Sequence, residues 1–180
     1  ILEKAGTDNI KDVWPNFELY LHGGVSFRPY RSQFEALIQA DNMHYMETYN
    51  ASEGFFAAQD DLTQEGMLLF LNHGIFYEFL PLSELGKEDA QTLCLKDVEV
   101  GVNYALIIST NSGLWRYQVG DTIQFTSTNP YRIKVSGRTK SFINAFGEEV
   151  IVDNSDQAIL AASKATNSEV SDYTAAPVYM

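Results

Sequence analysis

The alternation of apolar and polar positions gives the chain two stretches of different character. In the first, Phe17-Glu-Leu-Tyr-Leu21 alternates with a period of two, as a half-buried strand does. It runs into His22-Gly23-Gly24. Residues 31–41 then carry Phe34, Leu37 and Ile38 at i, i+3, i+4 spacing, the apolar stripe of a helix. His44-Tyr-Met-Glu-Thr-Tyr49 is a second short strand. Strand, glycine loop, helix and strand in that order predict α/β construction.

Further along, the period stays at two. Met67–Leu71 and Ile75–Leu80 flank Asn72-His73-Gly74, which predicts a hairpin-like turn. Strands are expected over 102–110, 113–119, 121–126 and 131–135. Asn111-Ser-Gly113, Gly120-Asp121 and Asn129-Pro130 punctuate them. Short antiparallel strands in series imply a small barrel or a strongly bent sheet. Gly137-Arg138 reads as a boundary. Beyond it, Ser141–Val150 has the pattern of a hairpin with Gly147 at its turn. Asn154 is placed to cap a helix over Ser155–Ala165, with Ile159 and Ala162 inward. Asp172–Tyr179 reads as a strand. The chain opens on Ile1 and closes on Met180 after an apolar run, so an internal piece of a longer protein is expected.

Composition narrows the classes. Hydrophobic residues make up 45% of the chain, enough for a packed core and too many for disorder. Cys94 is the single cysteine, so an internal disulfide framework and a cysteine-rich metal site are excluded, and a reducing, cytoplasmic setting is expected. Cys94 lies in the apolar run Thr92-Leu-Cys-Leu95 and reads as core. No apolar run is long enough to span a bilayer, so no membrane partner is expected. The net charge of −12 repels phosphate backbones, so nucleic acid is not an expected partner. A small anion remains possible in a local pocket. His22, His44 and His73 lack metal-ligand spacing. Trp115 and Tyr117 read as core aromatics, and the acidic stretches Glu84–Asp89 and Asp60-Asp61 as solvated turns.

Three short segments carry candidate chemistry. Tyr49-Asn-Ala-Ser-Glu-Gly54 follows a strand, where ligands of α/β sheets bind. Its Glu53 is either a turn carboxylate capping the next element or a residue that associates with Mg2+ on phosphate oxygens. Gly113-Leu-Trp-Arg-Tyr-Gln-Val-Gly-Asp121 ends in a carboxylate with two acceptor oxygens. These suit vicinal ribose hydroxyls, and a plain Gly-Asp turn is the alternative. Gly137-Arg-Thr-Lys140, followed by Gly147-Glu148-Glu149, is a basic turn or a hinge whose cations meet phosphates.

Together and in this order, the three resemble the adenylate-forming superfamily, and most closely its acyl acid–amido synthetase branch. The likeness rests on Tyr49-x-Ala-Ser-Glu53 and Gly113-Leu-x-Arg-Tyr-x-Val-Gly-Asp121. Phe76-Tyr-Glu-Phe-Leu-Pro81 and His22-Gly-Gly-Val25 add to it. The resemblance implies the adenylate-forming fold: residues 1–137 would be the later part of the large nucleotide- and acyl-binding domain. Residues 138–180 would be the hinge and start of a small, mobile α+β domain. It implies that ATP and a carboxylic acid give an acyl-adenylate, whose acyl group passes to an amino acid. Glu53 would be the Mg2+-associated, catalytic carboxylate, and Lys140 would take a second catalytic place. Gly23, Gly24 and Val25 would lie against adenine, Tyr49 and Ser52 would line the pocket, and Asp121 would hold the ribose. Arg138 and Thr139 would sit at the hinge, and residues 144–149 would change place between the half-reactions.

Two departures bear on these expectations. The motif's arginine position holds Gln118; Arg116, two places earlier, would share its face on a strand. No Ser/Thr/Gly-rich phosphate loop with a lysine occurs, so these 180 residues alone are expected to be poor catalysts. The departures from the plant pattern suggest a bacterial source. An acyl-CoA-type ligase and a non-catalytic nucleotide-binding domain are the rival readings.

Overall fold

The computed structural model describes residues 1–24, 27–140, 143–145, 148–150, 152–168 and 170–176. Two single-turn helices, α1 (Leu2–Ala5) and α2 (Ile10–Val13), precede strand β1 (Leu19–His22). Helix α3 (Arg31–Ile38) then leads into β2 (His44–Ala51). β1 and β2 pair in parallel, from Leu19 opposite His44 to His22 opposite Glu47. This is the expected strand–loop–helix–strand unit. Its helix stops earlier than the pattern suggested, because Gln39 turns left-handed at φ 40°. Phe34 packs on Tyr20 at 4.8 Å and Ile38 is buried, while Leu37 points outward.

The other strands of this sheet are antiparallel: β3 (Gly54–Ala58), β4 (Met67–Leu69), β5 (Ile75–Pro81), β6 (Asn103–Thr110), β7 (Tyr117–Thr128) and β8 (Tyr131–Arg138). With β1 and β2 they form one eight-stranded sheet in the order β1-β2-β3-β4-β8-β7-β6-β5. β5 and β1 are its edges. Yet Tyr77 of β5 meets Phe56 of β3 edge-on at 6.4 Å, and its hydroxyl donates to the Phe70 carbonyl after β4 at 3.1 Å. The antiparallel part therefore curls back on itself, as the series of short strands implied. Its interior holds Phe56, Phe79, Tyr104, Phe125 and Ile108, all at most 1% exposed. Phe79 and Phe125 meet edge-to-face at 5.1 Å, the arrangement that aligns ring edges with ring faces.

β9 (Ile143–Ala145) and β10 (Glu148–Val150) pair antiparallel as a separate ribbon, the hairpin expected over 141–150. Helix α4 (Val152–Thr166) follows and lies against β8.

Several expectations need correction. β4 and β5 are not a hairpin: β4 pairs with β3 and β8, and β5 pairs with β6. The strands expected at 113–119 and 121–126 are one strand, β7. Gly120 takes φ 93° and a bulge follows at Thr122/Ile123, so the strand bends rather than breaks. Arg116 is outside it, at φ 47°, with its guanidinium on Glu78 and Thr92. It does not share the face of Gln118. Trp115 is 80% exposed and Tyr117 40%. Cys94 is exposed, because the bridge of Leu93 to Phe79 turns its neighbour outward. Asn154 lies inside α4, which starts at Val152, and Ala162 is exposed. Residues 172–176 form no strand, and 177–179 lie outside the described residues. Asp60 is no plain solvated turn residue: it pairs with the buried Arg132.

Candidate functional site

The carboxyl ends of β1 and β2 lie side by side, and each is followed by one candidate segment. After β1 comes Gly23. A side-chain carbon built there would stand 2.2 Å from the Thr48 carbonyl oxygen, so only glycine fits the loop against β2. The Thr48 hydroxyl ties the same place by donating to the His22 carbonyl at 3.2 Å. Gly24 follows at φ 85°, and Val25 lies outside the described residues. The His22 ring stacks on Phe27 at 4.2 Å. Burial first, then the charge of Arg31, lowers its pKa and favours the neutral imidazole.

Tyr49 of β2 is 5% exposed, with its ring on Phe56 at 4.9 Å. Its hydroxyl donates to Oδ2 of Asp121, in β7, at 2.9 Å. Burial, and then the Asp121 carboxylate, push the phenol far above its ordinary range, so it stays a donor at any working pH. Asp121 stands opposite Arg138 in the β7–β8 ladder, and the Arg138 Nε lies 3.2 Å from its other oxygen, Oδ1. Both oxygens of the expected ribose-holding carboxylate are thus engaged by donors. Each has a further lone pair to offer, so a ligand diol can still be accepted.

Ser52 and Glu53 form the turn between β2 and β3. The Tyr117 hydroxyl, at the start of β7, donates to Oε1 of Glu53 at 3.1 Å and has its pKa raised by that carboxylate. Past β8, the Thr139 N–H and hydroxyl both hold the Gly120 carbonyl, at 2.9 and 3.2 Å. The segment expected to be a hinge is thereby tied beside Asp121. Lys140 is exposed, past the end of β8. The expected moving loop over 144–149 spans β9 and β10, with 146–147 outside the described residues.

The structure therefore brings Tyr49, Asp121 and Arg138 into contact, and Tyr117 links Glu53 to the strand that carries Asp121. Tyr117 was read as a core aromatic. The alternation Tyr117-x-Val119-x-Asp121 was the available signal for a shared face. Beside Glu53 opens a cleft of about 370 Å³ between the starts of β3 and β5 and the end of β6.

Among the described residues no group of three or more His, Cys, Asp or Glu forms a metal cage. Glu53 is a lone carboxylate with one oxygen engaged by Tyr117. That donor set fits Mg2+ carried on phosphate oxygens, which needs only one or two protein carboxylates.

Residues 68–138 match the GH3 family central domain. The matched stretch runs from β4 to the last residue of β8 and includes Asp121 and Arg138. Indole-3-acetic acid-amido synthetase GH3.4 of Arabidopsis thaliana is 44% identical over 128 residues, covering 65% of this chain and 21% of its own length. Jasmonoyl–L-amino acid synthetase GH3.5 of Oryza sativa subsp. japonica is 29% identical over 137 residues, covering 64% and 22%. The chain spans about a fifth of the length of these curated relatives. A solved GH3.15 acyl acid amido synthetase aligns at TM-score 0.66 and 20% identity, over 90% of this chain and 30% of that one. At that identity the likeness is one of fold.

Proposed function

We propose that a protein carrying this chain is an AMP-forming ligase that joins a small carboxylic acid to an amino acid. The observation that supports this most is the convergence of distant motifs on one carboxylate: Tyr49 and Arg138 both bind Asp121. Arg138 is the cross-strand neighbour of Asp121, and the buried Tyr49 phenol that arrives from β2 is the contact a plain turn leaves unexplained.

In the first half-reaction a carboxylate oxygen of the acid bonds to the α-phosphorus of ATP. The bond from that phosphorus to pyrophosphate breaks, and an acyl-adenylate remains. In the second, the amine nitrogen bonds to the acyl carbon, AMP leaves with the bonding electron pair, and the nitrogen loses its proton. Both steps ask the protein for position and charge rather than for a nucleophile.

In this reading Asp121 accepts the ribose hydroxyls, and Tyr49 and Arg138 fix its orientation. Gly23 holds the loop against β2, and the open, side-chain-free surface of Gly24 lets adenine lie on the backbone. Ser52 lines the pocket, and Lys140 comes from the small domain as a cation for the adenylation step. Glu53 would hold Mg2+, which when bound supplies positive charge to offset the meeting of two anions. Residues 138–180 belong to that small domain. A cytoplasmic, bacterial source completes the proposal, carried by the lone cysteine and the departure at Gln118.

The test is acid-dependent ATP–pyrophosphate exchange by the full-length protein over a panel of aromatic and aliphatic acids, beside Glu53→Gln. Exchange that needs an acid and falls by roughly a hundredfold or more in the variant is expected. No exchange with any acid, despite measurable ATP binding, would sink the ligase reading. Acyl-thioester in place of amide, with coenzyme A supplied, would move the acceptor.

A further inference from the structure

Thr110 ends the inward-facing row of β6. Leu106 and Ile108, ahead of it in that row, are fully buried hydrocarbon. Thr110 is 8% exposed, and its hydroxyl oxygen is shielded from solvent without a hydrogen-bond partner among the described residues. Its backbone is committed elsewhere: its N–H donates to the Leu114 carbonyl at 2.9 Å, and its carbonyl accepts from the Gly113 N–H at 3.3 Å. A buried hydroxyl left unpaired is a cost that a valine of the same shape would avoid. The residue type is therefore unexplained by packing.

Thr110 lines the cleft beside Glu53, together with Phe55, Ile75, Asn111 and Ser112. The cleft volume of about 370 Å³ is small, near the lower end of ligand sites, which run from roughly 300 to 1,000 Å³. The lining also holds the His73 imidazole; Glu53 is its one carboxylate, and no lysine or arginine is beside it. Tyr117 occupies one carboxylate oxygen, and the other has no partner among the described residues. Such a lining repels a carboxylic acid or a phosphate and attracts a small cation able to donate hydrogen bonds.

We propose that this cleft seats the acceptor amine. Glu53 holds the ammonium of an amino acid, the Thr110 hydroxyl rotates out of its shielded position to join it, and Asn111 and Ser112 meet its carboxylate. Phe55, which is 44% exposed, and Ile75 give its side chain an apolar wall. This rests on the ligase reading above and adds the place of the second substrate. The two half-reactions are sequential, so Glu53 serves one charged partner at a time.

The experiment compares the full-length protein with Thr110→Val and Thr110→Ser. It reads ATP–pyrophosphate exchange with acid but no amine, and amide formation with each proteinogenic L-amino acid at saturating ATP and acid. In Thr110→Val, exchange should stay within about twofold while the amino acid KM rises roughly tenfold or more, and Thr110→Ser should restore it. Exchange and amino acid KM both unchanged in Thr110→Val would overturn the amine site. Loss of exchange in Thr110→Val, with exchange kept in Thr110→Ser, would also overturn it, by moving the hydroxyl to adenylation. Loss of exchange in both variants would overturn it as well, making Thr110 a structural residue. An unsubstituted protein without exchange would instead overturn the ligase reading, and this proposal with it.

Discussion

Tyr49 belongs to two environments at once: its ring packs on Phe56 in the core, and its hydroxyl reaches Asp121. Tyr49→Phe keeps the ring and removes the donor. AMP affinity of the full-length protein should fall about three- to tenfold by calorimetric titration, with the melting temperature moved by only a few degrees. Asp121→Asn should cost more, since it turns half of a two-acceptor group into a donor and breaks the contact with Arg138. Affinity unchanged in both would remove Asp121 from the nucleotide. Asp60 is one residue that ties stability to pH. Its hydrogen bond to the buried Arg132 is the main cause of its lowered pKa. A lowered folded-state pKa means stability present above the unfolded value of about 4 and lost as pH falls through the folded value. Asp60→Ala should flatten that acid-side loss in urea titrations run from pH 6 to pH 3. At neutral pH it should cost about 1–2 kcal/mol. That is less than a fully buried pair, because the Asp60 side chain is 46% exposed.

At the scale of elements, the β1 loop is set by contact with β2 rather than by its own turn chemistry. Gly23→Ala must push the Thr48 carbonyl away, and should cost about 2 kcal/mol and loosen nucleotide binding, read by melting temperature and AMP titration. An unchanged melting temperature would mean that the loop relaxes freely. The periods of two and 3.6 made β1, α3, β2 and the bent antiparallel part legible, because periodicity reports a local face. Partner choice is not local. Nothing near Met67 tells that β4 pairs with Ile133 and Arg132 of β8 rather than with the strand that follows it. Faces also failed where the backbone leaves the extended region. Arg116 at φ 47° ends the alternation, so Trp115 was assigned to a core it does not enter. The candidate residues are legible as motifs. Their contacts are not, since Tyr49 and Asp121 meet across 72 positions.

For the whole molecule, charge and sheet edge act against each other. The chain carries 24 acidic and 12 basic residues, so copies repel one another in dilute salt. β1 counters this. Among the described residues no strand pairs with its outer side, and its Leu19 and Leu21 are 42% and 57% exposed. A short apolar edge with open backbone donors and acceptors is a template on which another strand can grow. Salt screens the repulsion over about 10 Å at 0.1 M and leaves the edge untouched. The 180-residue polypeptide should therefore stay dispersed at low ionic strength and self-associate as salt is raised, the reverse of an assembly held by ion pairs. Sedimentation velocity across a salt series would follow this, with Leu21→Lys expected to keep the chain monomeric throughout.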